Sequence, residues 1–427
     1  MYIVSTSCGV EKEPLKTAFG FKGNALTCLW QIAARIETKN NVGVGLGVQS
    51  VLWSDANVFK TYGEADSNEM MFSVTKYALD LIVGREFANP GELLDAIFPE
   101  AYAYAKRVTK LEGVSKTFVL NALVPVDFAA WQLYLKEEGK TGFDDICTFD
   151  GERQTKLANI PLITYGALVS DVVNMAENNT PLFKIKIGSD PDKDGDYAKM
   201  LAWDKNRLLE IHTALKDIQT SHTEDGKILY YLDANGRYDS KERLLDLLDF
   251  CRENGFLDRI ILLEEPFAEE NHVFVGDLPV CVAADESVHD MEALEERFAL
   301  GYKALTLKPI AKGLTMSSRM HTFAAAHGMV TFCADLTVNP VMVSWNQCVA
   351  SRLTRLAGMK VGVVESNGGQ NYVNWEAMKG YHPAYPATYI TDRDGVFDLG
   401  EDFYTTSAAI KQTGGYYDAL SRGEGKT

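Results

Sequence analysis

The sequence predicts an α/β protein: a (β/α)8 TIM-type barrel behind an N-terminal α+β capping domain. Three observations carry that reading. Eight apolar runs of strand length alternate with amphipathic helical segments between residues 118 and 370. The runs are apolar almost throughout, which implies burial on both faces, as in a parallel sheet. No glycine-rich phosphate fingerprint follows an early strand, which weighs against an open doubly wound sheet, the alternative with the same alternation.

The capping domain is expected over residues 1–117. Residues 30–49 read as two strands around a turn at Asn40-Asn41. Helical patterns follow over Ser67–Val83 and near Gly91–Leu111, the second opened by Pro90. The barrel is expected over residues 118–370. Its strands are Pro161–Tyr165, Phe183–Ile187, Ile228–Asp233, Ile260–Glu264, Val280–Asp285, Ala304–Lys308, Val330–Ala334 and Val361–Glu365. Helices are expected between them at Tyr197–Ile218, Lys241–Glu253, Met291–Leu300, Ser317–His327 and Val341–Leu356. Residues 371–427 are rich in Tyr and Gly and lack periodicity; they read as a tail packing back on the capping domain.

A chain of 427 residues accommodates one barrel and a smaller domain. The 46% apolar and 24% charged content is that of a soluble globular protein. A net charge of −17 repels phosphate backbones and acidic membrane faces, so neither nucleic acid nor membrane is an expected partner. Seven scattered cysteines without a Cys-x-x-Cys pair suit a reducing compartment. The first residues, MYIVSTSCGVEKEPLK, lack a secretory pattern, and no run approaches the roughly 18 apolar residues of a membrane span. The cytoplasm is therefore the expected location. Assembly into a homo-oligomer is left open.

Polar residues close successive strands. Lys184 and Lys186 face one side of the second strand. Asp233, Glu264 and Asp285 end the next three, and Lys308 ends the one after. Barrel strand ends converge on one rim, where active sites lie. Three carboxylates completed by water and substrate oxygens suit Mg2+. The two lysine-bearing strands would flank that ion. Such an arrangement fits removal of the proton beside a substrate carboxylate, where a dication stabilises the developing charge and an uncharged amine accepts the proton. Lys184 beside Lys186 is expected to depress the proton affinity of each by like-charge repulsion.

The segments LFKIKIG, YLDANGRY, LLEEPF, AADES and LTLKPIAKG, in this order, resemble the enolase superfamily and, within it, the muconate-lactonising branch. Residues 122–139 look like that family's barrel-introducing helix. The resemblance implies Lys186 and Lys308 as opposed acid/base groups, Lys184 as a modulating neighbour, and Asp233, Glu264 and Asp285 as magnesium ligands. It implies supporting roles for Asn235 and Glu265. The seventh strand, VTFCADL, has no histidine, unlike the mandelate racemase branch, and none of the seven histidines is assigned a role. Capping-domain loops at Phe19–Asn24 and Val51–Asp55 would close over a small-molecule carboxylate substrate.

Two opposed lysines favour racemisation or epimerisation of an amino-acid derivative or dipeptide. Dehydration of the o-succinylbenzoate synthase type and lactone-forming cycloisomerisation are the alternatives. The Asp-x-Asp pair that many dipeptide epimerases carry after the eighth strand is replaced here by Glu365-Ser366-Asn367. Glu365 or Asp335 is the candidate for a substrate ammonium. A Schiff-base lyase using Lys308 or Lys186 is a further alternative, but it leaves the three carboxylates without a task.

Overall fold

A computed structural model of the chain describes residues 1–21, 24–149 and 151–424. The chain opens with an antiparallel sheet ordered β1 (Ser5–Phe21), β2 (Asn24–Glu37), β3 (Val42–Gln49). The turn between β2 and β3 falls at Asn40-Asn41 as expected, closed by Thr38 N–H donating to Asn41 O at 2.9 Å. Strand β1 escapes a pattern reading because it carries Pro14 and Gly9, which interrupt alternation. Both are tolerated on a sheet edge, where β1 lies. Helices Ala56–Ile82, Pro90–Thr109 and Lys116–Glu137 complete this region. The first begins well before the expected Ser67. Asp55 caps it, its Oδ1 accepting from Asn57 N and Val58 N, both at 3.0 Å. Gly63 then breaks the helical conformation and hides the early turns from a periodicity reading.

The glycines of β3 let helix Lys116–Glu137 lie directly on the strand. A Cβ at Gly45 would fall 2.1 Å from Pro125 O and 2.2 Å from Ala129 N, both rigid backbone. Gly45→Val is therefore expected to cost about 3 kcal/mol or more of stability. Urea unfolding checks this; an unchanged midpoint would show that the helix can shift away. This helix is long and apolar enough to cross a membrane by length and composition, which corrects the expectation that no segment qualifies. Its apolar surface is buried between sheet and barrel.

The barrel strands are β4 (Lys156–Asn159), β5 (Leu162–Ile163), β6 (Leu182–Lys186), β7 (Leu229–Asp233), β8 (Ile260–Glu264), β9 (Val282–Ala284), β10 (Ala304–Leu307), β11 (Val330–Cys333) and β12 (Gly362–Val364). They run parallel, in sequence order from β5 to β12. The first barrel strand is split at Ile160-Pro161. Its lower half, β4, pairs with β12, and its upper half, β5, pairs with β6, which closes the cylinder. A strand starting at Pro161 thus captures only the upper half. The exposed edge of β4 is covered by an antiparallel strand, β13 (Val396–Asp398), in a region that lacks sequence periodicity. Nearer the C-terminus, helix Gly415–Ser421 sits on the first sheet, with Ser7 Oγ donating to Ser421 O at 2.7 Å.

His382, almost fully buried, joins this late region to the barrel helix Pro340–Ala350. Its Nδ1 accepts from Ala384 N at 3.0 Å, which places the proton on Nε2, facing Ser344 Oγ at 3.0 Å. Burial pushes the imidazole down to about 4. The folded state therefore binds fewer protons than the unfolded state below an ordinary histidine pKa of about 6.5. The stability associated with neutral His382 is present above that value and is lost as pH falls toward 4, by on the order of 3 kcal/mol. Urea melts of wild type and His382→Gln across this window should diverge; parallel curves would contradict the assignment.

Candidate active site

Two-residue alternation decides what points into the barrel. Leu182, Leu229, Tyr231, Leu262, Ala283, Ala304 and Phe332 form an apolar plug inside it, while Phe183, Ile185, Leu232, Leu263 and Leu305 face the helices. Two residues further along the same inward rows stand Lys184, Asp233, Glu264, Asp285 and Thr306. A further inward step reaches Lys186 and Lys308. Register aligns Lys186 with Asp233 and Asp233 with Glu264. The sequence-predicted lysines and acids therefore meet at one mouth, with β7, β8 and β9 between the two lysine-bearing strands.

These groups form a dense charge network. Lys186 Nζ lies 2.7 Å from Asp233 Oδ2 and also donates to Asn235 Oδ1. Lys184 Nζ lies 3.1 Å from Asp233 Oδ2, 2.8 Å from Glu264 Oε2 and 3.6 Å from Glu365 Oε2, above the Tyr231 ring. Lys308 Nζ donates to Asp285 Oδ2. Burial alone would lower the Lys184 amine, but Asp233, Glu264 and Glu365 outweigh it and hold the amine well above its ordinary value. This corrects the expected mutual depression by neighbouring lysines: carboxylates, not Lys186, dominate the field at Lys184. Burial lowers and Asp285 raises Lys308, with a net upward shift. Burial opposes ionisation of Asp233, yet Lys184 and Lys186 bring it below the usual carboxylate range; Lys308 and Lys312 do the same for Asp285.

Glu264 behaves differently. Burial pushes it up to about 8 despite Lys184. Neither of its oxygens has an aligned hydrogen-bond donor, and Asp285 Oδ1 and Glu286 Oε2 also lack one. One oxygen from each of Glu264, Asp285 and Glu286 lies within 4.8 Å of the others. Asp233 stands beside this group, turned to the two lysines. Buried acceptors without donors are costly, and this cluster offers them where a dication would find ligands. The donor set therefore fits a hard cation.

Other side chains fix the frame. Asn235 bridges the lysine and acid halves, its Nδ2 donating to Glu286 Oε1 at 2.8 Å. Glu265 Oε2 accepts from Asp285 N at 2.7 Å. Lys312 and Glu286 were not among the sequence-predicted residues. Glu286 was legible as the fourth residue of the AADES segment, directly after Asp285. Lys312 follows Lys308 by one helical turn, and its amine donates to Asp285 O at 2.9 Å and Val288 O at 2.6 Å.

The first domain closes the mouth. Val51–Ser54 forms a helical turn that delivers Trp53, whose ring centre is 4.4 Å from Lys308 Nζ. The side chains of Phe19 and Phe21, and residues 22 and 23, lie outside the described residues. The resulting cleft is lined by charged groups at its floor and leucines above them. Asp335 and Glu365 also line it. Asp335 accepts from Asn367 N at 2.6 Å and Val338 N at 3.2 Å. Glu365 accepts from Asn367 Nδ2 at 2.8 Å and Asp335 N at 3.2 Å. Burial pushes Asp335 up to about 7.

Fold and site together define a class: a capped (β/α)8 barrel with amines on both flanks of an acidic cluster. Among solved structures, the chain is similar to a dipeptide epimerase from Enterococcus faecalis V583, complexed with Mg and the dipeptide L-Leu-L-Tyr. That similarity has a TM-score of 0.64 and 15% identity over 94% of this chain and 98% of that one. It is also similar to an N-succinyl Arg/Lys racemase from Bacillus cereus ATCC 14579, with TM-score 0.63 and 15% identity over 87% and 89%. An L-Ala-D/L-Glu epimerase from Bacillus subtilis matches with TM-score 0.59 and 17% identity over 87% and 92%. No family model and no curated protein matches the sequence. The chain has the fold of the enolase superfamily.

Proposed function

We propose that this protein is a magnesium-dependent enzyme of the enolase superfamily, in its muconate-lactonising branch, that racemises or epimerises a small carboxylate by moving its α-proton. The observation that carries the proposal is the gathering of Lys186 and Lys308 at one rim, on strands separated by those of Asp233, Glu264 and Asp285. Those three carboxylates would hold the ion, with Glu286 near enough to act on it. When bound, magnesium supplies positive charge to the substrate carboxylate oxygens, where negative charge collects as the proton leaves.

The chain's own groups do the rest. Lys186, positioned by Asp233 and Asn235, takes the proton from one face of the α-carbon. Lys308, positioned by Asp285 and covered by Trp53, returns one to the other face, and the roles exchange for the opposite enantiomer. Lys184 stays charged and offsets the repulsion among Asp233, Glu264 and Glu365. Glu265 holds the backbone of Asp285 in place.

The test incubates the protein with magnesium and a panel of N-acyl amino acids and dipeptides in heavy water. Deuterium entering the α-carbon with loss of chirality, abolished by chelator and restored by magnesium, is the expected result. Turnover that survives chelation would contradict the proposal.

A further inference from the structure

The cleft separates its chemistry by height. Among the described residues its cations are Lys184, Lys186 and Lys308, all at the floor. The wall above is built by Leu15 and Leu26 of β1 and β2, Leu29, Leu52, Leu162 and Leu336. These leucines come from both the capping sheet and the barrel loops, so they enclose the part of a ligand that points away from the floor. The two acids on the wall, Asp335 and Glu365, have each oxygen engaged by a backbone N–H or an Asn367 donor. Glu365 also faces Lys184 at 3.6 Å. A second carboxylate on the ligand would meet leucines and acids. A distal ammonium would have to share carboxylate oxygens that already accept internal hydrogen bonds and, at Glu365, a carboxylate already facing Lys184. An uncharged hydrocarbon group would meet a mainly apolar surface and release water from it.

We infer that the cleft selects monocarboxylates whose distal end is uncharged and apolar, and rejects those with a second carboxylate or a terminal ammonium. The inference rests on the proposed placement of the substrate carboxylate at the floor, and it names the substrate class for that site. Leucines at these positions are the specificity-determining residues. Leu15 and Leu336 are half-buried and accept substitution more readily than the core leucines beside them.

Calorimetry on the magnesium-loaded, full-length protein tests this with three probes of similar length: 4-methylpentanoate, glutarate and 5-aminopentanoate. The first should bind at least about tenfold more tightly than either charged probe, since burying a few methylene equivalents supplies that factor. A Leu15→Lys variant, its fold checked by circular dichroism, should lose that preference and gain affinity for glutarate. Equal or tighter binding of glutarate or 5-aminopentanoate to the wild type would overturn the inference, as would no binding of any probe at millimolar concentration. The outcome is separable from the catalytic reading. Selective binding without α-proton exchange on the amino-acid panel keeps the inference and defeats the catalysis. Exchange together with a preference for charged probes does the reverse.

Discussion

A Lys308→Met variant is expected to lose racemisation by at least about 1,000-fold while still exchanging the α-proton of one enantiomer with solvent. Lys308 and Lys186 approach the floor of the cleft from opposite flanks, and in the proposed reaction each serves one face of the α-carbon. Removing one amine leaves the other able to take a proton and give it back on the same face, which incorporates deuterium without inversion. Lys186→Met should show the mirror behaviour, with exchange confined to the opposite enantiomer. Methionine matches the length of the lost stem and keeps its packing. Proton NMR on each enantiomer in heavy water measures both rates. Loss of exchange for both enantiomers in either variant would mean that the two amines act as one unit rather than as a pair of bases.

Glu264→Gln should give the second large effect, confined to the metal-bound state. Without metal, Glu264 is fully buried, lacks an aligned donor on either oxygen, and is pushed up to about 8 by burial. A neutral amide removes part of that cost but also weakens the contact with Lys184 at 2.8 Å, so the metal-free variant should stay close to wild type in stability. With metal, the loss of a carboxylate ligand should weaken Mn2+ or Mg2+ binding by about 100-fold or more and reduce turnover correspondingly. Wild type at 100 times its dissociation constant should gain about 2.7 kcal/mol from the ion, whereas the variant at the same concentration should gain little. Thermal unfolding with and without magnesium reads both terms. A variant destabilised without metal and still stabilised by it would show that Glu264 is a structural group.

The rim that gathers the candidate residues was readable because barrel geometry converts position in sequence into position in space. Each of Asp233, Glu264, Asp285 and Lys308 ends or directly follows an apolar run, and parallel strands bring such ends to one level. Period-two alternation added that Lys184 and Lys186 share a face. What stayed hidden has equally local reasons. β1 is a strand by virtue of its pairing with β2, not of its own pattern. β13 is too short to show a period. The split of the first barrel strand depends on which neighbour each half meets, information that lies in β12 and β6. Lys312 gave no signal because its role comes from tertiary approach to the β9 end. The expected depression of Lys184 failed because counting neighbours along a strand omits the carboxylates of other strands, three of which stand 2.8 to 3.6 Å from the amine and carry the opposite sign. Trp53 was legible as a member of a closing loop, but not its seat over Lys308.

In the proposed site one divalent cation is held by Asp233, Glu264 and Asp285 between two amines. Crystals grown with Mn2+ and measured at its absorption edge test it most directly. A single strong anomalous peak is expected at the barrel mouth, within about 2.0–2.3 Å of an oxygen from each of those three residues. No peak there, or a peak held by surface carboxylates away from Lys186 and Lys308, would contradict it.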